Sequence, residues 1–114
     1  MSLSINNSIS ALQALGVKQS VTANNIANSE AAEFKKSRTV LEESSTGSVS
    51  AKTQAVNTPG TMINQADGSL EEMSNVDLVQ EATDMIPTKH AYEANLKAIK
   101  TTAEMEDNVL DLIG

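Results

Sequence analysis

His90 is the only histidine in a chain of 114 residues, with Glu93 three positions on and Asp84 and Glu81 behind it. The first chemistry to weigh is therefore a metal site or a general acid–base pair. Either needs several such groups converging on one pocket. The chain has no second histidine, no cysteine and no glycine-rich phosphate loop. His90 is therefore expected to be a packing or solvent-facing residue, with no catalytic, metal or cofactor site. A second cluster is amide: Asn24, Asn25 and Asn28. Such residues cap helix ends locally, because their side chains compete well for backbone groups. They also fix register as a polar ladder where two helices meet.

The elements that would position these residues lie at the two ends. From Leu78 to Ile113 a stripe recurs every four and three residues: Leu78, Ala82, Met85, Lys89, Tyr92, Leu96, Ile99, Ala103, Glu106, Leu110 and Ile113. Only Lys89 and Glu106 break its apolar character. This is the repeat of a helix lying along another helix. Ile5, Ile9, Leu12, Gly16, Gln19, Ala23 and Ile26, with Leu15 beside them, form a second such stripe over residues 4–28. Ser2 or Ser4 is expected to cap that helix, and residues 29–33, all tolerated in helices, to extend it past Asn28. Ser74 or Asn75 is expected to open the C-terminal helix, which Pro87 should kink by removing a backbone donor.

Between the helices the period changes to two. Residues 36–42 and the alternating Val49, Ala51, Thr53 and Ala55 flank the turn signal Ser44-Ser45-Thr46-Gly47 and predict a β-hairpin. Ala66-Asp67-Gly68 marks a further turn, within a second short ribbon. Lys35, Lys36 and Arg38 read as a solvent-facing strand edge. The fold class is mainly α: long terminal helices pairing as a coiled coil, joined by a short hairpin and loop segment. One domain is expected over 1–114, with the N-terminal helix in 1–33, the insert in 34–73 and the C-terminal helix in 74–114.

Composition narrows the partners. Phe34 and Tyr92 are the only aromatics, so a deep core is not expected. Net charge is −7, and it resides in residues 71–114, which hold ten acids and three bases. This argues against nucleic acid or an anionic membrane surface. Lys18 is the only charged side chain in the first 29 residues. A long uncharged helix of this kind is expected to be covered by neighbours. No stretch of about 18 apolar residues is present, so no membrane insertion is expected. The N-terminus lacks the pattern of a cleaved secretory signal.

Two motifs carry a resemblance. Ala23-Asn24-Asn25-Ile26-Ala27-Asn28, followed by Phe34-Lys35-Lys36, resembles the N-terminal signature of bacterial flagellar rod and hook proteins. Ser74-Asn75-Val76-Asp77-Leu78, then Ala91-Tyr92-Glu93-Ala94-Asn95, Ile99-Lys100-Thr101 and Glu104-Met105, resembles the same family's C-terminal helix. The resemblance implies a non-enzymatic axial subunit, minimal or divergent, that assembles through its terminal helices. It also implies passage through the flagellar export apparatus without a cleaved signal, and a place in the basal-body rod or the hook among copies of itself and other axial proteins. The residues expected to make helix and subunit contacts are Ile5, Ile9, Leu12, Gly16, Ala23, Asn24, Asn25, Ile26 and Asn28. At the other end they are Leu78, Met85, Tyr92, Asn95, Leu96, Ile99 and Leu110. Departures are also present. Glu30, Ala31, Ala32 and Glu33 replace the family's Thr- and Gly-containing turn, His90 stands where an Arg is common, and Pro87 is unexpected. The alternative is a small helical-hairpin secretion chaperone or secreted binding module, which shares the length and acidity but does not account for the two motifs.

Overall fold

The computed structural model describes residues 2–114, with side chains from Ser4 onward. Two helices frame it. Helix α1 covers Ser2–Ala27 and helix α2 covers Leu78–Ile113. Between them come two antiparallel hairpins: β1 (Ser37–Glu43) with β2 (Val49–Ala55), and β3 (Met62–Asn64) with β4 (Leu70–Glu72). The molecule measures 78 × 24 × 14 Å. Mean rise makes α1 about 39 Å long and α2 about 54 Å.

Helix α1 stops sooner than its composition allows. The Asn28 amide N–H donates to Asn24 O at 3.1 Å, and the Asn28 side chain turns back onto the same carbonyl at 2.9 Å. Turns follow, and Glu33 takes a left-handed conformation with φ of 60°. Its N–H then donates to Glu72 O at 2.9 Å. The expected extension through residues 29–33 is therefore absent: a tertiary hydrogen bond to the second hairpin outweighs local helix propensity. Ser4 lies inside the helix rather than at its cap, and the Ser2 side chain lies outside the described residues.

Helix α2 is capped by Asp77, not by Ser74 or Asn75. The Asp77 carboxylate accepts from the N–H groups of Val79 and Gln80 at 3.1 and 3.2 Å. That satisfies two of the free donors of the first turn. Ser74 is buried and Asn75 is engaged elsewhere. Pro87 lies within one unbroken helix.

Both hairpins close with the same turn. Ser44 N–H donates to Ser48 O at 2.8 Å, and Gln65 N–H donates to Ser69 O at 2.8 Å. Gly47 and Gly68 occupy the left-handed position with φ of 87° and 86°, which glycine adopts without steric cost. The first hairpin lies along α1. The second packs against no other helix or strand among the described residues and is held only at its base.

That base is a clamp. Lys36 N–H donates to Asn75 Oδ1 at 2.7 Å, while Asn75 Nδ2 donates to Val56 O at 2.8 Å and Thr58 O at 3.0 Å. Glu72 accepts from Gly60 N–H at 2.9 Å and pairs with Lys35. Lys35 is thus tied across the junction rather than lying free on a strand edge. A Cβ at Gly60 would sit 1.9 Å from Met73 O, so only glycine fits there.

The Glu33 conformation yields a prediction. A left-handed L-residue costs roughly 1–2 kcal/mol, and glycine loses about 0.5–1 kcal/mol of chain entropy. Glu33→Gly is expected to stabilise the chain by about 0.5–1 kcal/mol in urea denaturation followed by circular dichroism. A loss of stability would mean that the Glu33 side chain contributes something the backbone geometry does not explain.

Candidate assembly interface

The α1–α2 contact is built largely on polar and short side chains, with Met85 and Ile99 half-buried beside them. Ala14 and Leu15 are the buried apolar residues, whereas Thr22, Asn25, Ser74, Glu81 and Thr88 are buried polar ones. Asn25 is 2% exposed and joins three elements. Its Nδ2 donates to Ser37 O at 2.7 Å and to Glu81 Oε1 at 3.3 Å, and its Oδ1 accepts from Ser37 N–H at 3.0 Å. The amide thus pairs with Ser37 as another strand would, starts β1 at that point, and reaches α2 with its second hydrogen. The neighbouring amides behave differently. Asn28 Nδ2 donates to Asn24 Oδ1 at 2.7 Å, a local bond at the helix end. The two readings of the Asn cluster therefore divide by residue: capping for Asn24 and Asn28, a register-fixing bridge for Asn25.

The other end of α1 holds the tip of the first hairpin. Asn7 Nδ2 donates to Thr46 O at 3.2 Å, and Val49 N–H donates to Ser10 Oγ at 3.0 Å. Asn7 and Asn25 are separated by about 27 Å of helix. Strand β1 supplies about 20 Å between Ser37 and Glu43, and the turn carries the chain on to Thr46. The matched spans let the hairpin lie flat along α1, with Val49 and Ala51 beside Ser10, Ala14 and Val17.

On α2 the protected line is Glu81, Met85, Thr88, Ala91, Asn95, Ile99, Thr102 and Glu106, again spaced by three and four. It is the sequence stripe rotated toward its polar side. Of the expected contact residues, Asn25 is buried, and Ile5, Leu12, Gly16, Ile26, Asn28, Met85, Asn95 and Ile99 are half-buried. Ile9, Ala23, Asn24, Leu78, Tyr92, Leu96 and Leu110 are exposed. Tyr92 and Leu96 line an open groove with Leu15, Gly16 and Gln19. His90 is exposed, and among the described residues no group of three or more His, Cys, Asp or Glu stands close enough to hold a metal. Among the described residues no helix is long and apolar enough to cross a membrane.

Sequence reasoning missed the Lys35–Glu72–Asn75 clamp and the role of Glu81. Asn75 sat in a motif, but its partners lie 17 to 39 residues away, and no local period signals them. Glu81 read as one more acid on a solvated face.

Two long terminal helices packed side by side, with two β-hairpins between them in the chain, define a mainly helical subunit. The known relatives give that class its family. Residues 5–35 match the family described as flagella basal body rod protein, and residues 66–112 match flagellar basal body rod FlgEFG protein C-terminal. The chain belongs to the flagellar basal-body rod and hook family. It is 39% identical over 74 residues to the flagellar hook protein FlgE of Treponema pallidum (strain Nichols), covering 65% of this chain and 15% of that protein. It is 47% identical over 45 residues to the flagellar hook protein FlgE of Brucella suis biovar 1 (strain 1330), covering 40% of this chain and 11% of that protein. The aligned stretches thus span a small part of each hook protein.

Asn25→Ala should cost about 3 kcal/mol, since it leaves the Ser37 N–H and C=O and the Glu81 carboxyl without their partner. Asn28→Ala should cost under about 1 kcal/mol, because its bonds are local and exposed. Equal losses in urea denaturation would remove Asn25 from its central place. The clamp should also respond to acid. The Lys35 ammonium, and then the Gly60 N–H, hold the Glu72 carboxyl below the ordinary glutamate range. A depressed carboxyl contributes stability above its unfolded pKa and loses it as pH falls through the folded value. Amide exchange at Gly60 and Met73 should therefore quicken below about pH 4.3, and Glu72→Gln should abolish that pH step. An unchanged step in Glu72→Gln would assign it to another group.

Proposed function

We propose that the chain is a non-enzymatic structural subunit of the bacterial flagellar rod or hook. The observation that carries this reading is that the two family matches fall, in order, on the two helices that pack against each other. The finer reading follows from the residues. Residues 1–114 act as one axial domain, with N-terminal helix, β-insert and C-terminal helix as its parts. The terminal helices pair as a coiled coil, α2 bends at Pro87, and the exposed stripe of α2 is covered by copies of this chain or by other axial proteins. The exposed apolar residues Leu78, Tyr92, Leu96 and Leu110 support that assignment, since large apolar surface on a narrow molecule marks an interaction site.

The expected place is the basal body, in the periplasmic rod or the external hook, reached through the flagellar export apparatus without a cleaved signal. The chaperone reading finds no counterpart in the two family matches.

Leu96→Asp separates assembly from folding. Leu96 is 46% exposed in the free chain, so the substitution should cost under about 1 kcal/mol there. It should nevertheless abolish recovery of the protein in purified basal bodies and reduce swimming in soft agar. Cells lacking the gene that still swim and build complete basal bodies would overturn the reading.

A further inference from the structure

Helix α1 covers one side of α2 and not its whole length. The helices run antiparallel, with Asn25 against Glu81 and with Asn7 and Ser8 beside Asn95. At one residue per 1.5 Å on both helices, α1 gives out near residue 102 of α2, and about three further turns overhang. On the bare flank Leu96, Leu110 and Ile113 are 46%, 61% and 79% exposed.

This flank matches itself in one orientation. Laid antiparallel on a second copy, Leu96 meets the partner's Ile113, Ile99 meets the partner's Leu110, and Ala103 meets the partner's Glu106. Two-fold symmetry makes each contact twice. Beside that seam Lys100 falls near the partner's Asp107, again twice. A parallel pair in register would instead stack Glu106 on the partner's Glu106 and leave Lys100 without an acid, which disfavours it. Of the protected line on α2, only Ile99 and Glu106, both half-buried, enter the antiparallel pairing; Thr88, Asn95 and Thr102 do not.

We propose that the bare flank of α2 over residues 96–113, whose last three turns or so extend beyond α1, is a self-pairing surface that joins two copies of this chain as an antiparallel dimer. The inference does not depend on the flagellar reading; it needs only the exposed stripe and its charges. The dimer occupies the same stripe that axial packing would use, so the two states compete.

Sedimentation equilibrium of the full chain tests it. A monomer–dimer equilibrium is expected at micromolar to submillimolar concentrations. Lys100→Asp should weaken the dimer about tenfold by turning two attractions into repulsions, and Lys100→Asp with Asp107→Lys should restore it. Both residues are exposed, so circular dichroism should stay unchanged. The chain has no cysteine, which permits a geometric test. Ile99→Cys and Leu110→Cys proteins should form a disulfide dimer on oxidation when mixed and little when kept apart. A monomer throughout, a charge swap that fails to rescue, or self-linking as strong as mixed linking would each overturn the proposal.

Discussion

The bond set of Asn25 is the constraint on which the rest of the chain depends. A buried amide must use its donors and acceptor or forfeit about 1–3 kcal/mol for each group left unpaired. Asn25 meets this with one backbone residue, Ser37, and one side chain, Glu81. Because Ser37 is the first residue of β1, the amide decides where the hairpin begins. Because Glu81 lies in the first turn of α2, the same amide decides where the second helix joins the first. Aspartate would remove the donor and set a carboxylate against Glu81. Glutamine would add a methylene that the closed geometry has no room to relax.

Composition explains why a polar group holds that position. With two aromatics in 114 residues, the helices cannot be spaced by large side chains. The fully buried residues are short or polar apart from Leu15, with Met85 and Ile99 half-buried on the line that α2 turns to α1. Close contact of short side chains consumes the polar side of the α2 stripe and leaves its leucines outside. The surplus apolar surface thus follows from the chosen contact.

Much of this was legible in the residues. The two helices, the first hairpin with its Ser44–Gly47 turn, and the ribbon around Asp67-Gly68 follow from period and turn chemistry. The family was readable from the Asn24–Asn28 and Ser74–Leu78 motifs. Three things were not. Helix α1 stops at Ala27 because Glu33 is fastened to Glu72, a contact between segments 39 residues apart. Asp77 rather than Ser74 caps α2, since Ser74 is buried and Asn75 is committed to the strap at Lys36. The face that α2 turns to α1 lies beside its apolar stripe, because hydrophobic period reports what wants burial and cannot say which neighbour supplies it.

The first hairpin, fastened to α1 at Asn25 and again at Asn7, is a gauge. Strand β1 and the turn after it together span the stretch of helix between the two fastenings, so the length of the hairpin is metered by the helix beneath it. Residues added symmetrically to both strands would carry the turn past Asn7 and off the helix. Residues added in the ribbon that stands clear of every other element would leave the measured span intact. The chain therefore distinguishes two kinds of growth: the first hairpin has a calibrated length, whereas the second is an open socket where larger insertions can be mounted without disturbing the helical frame.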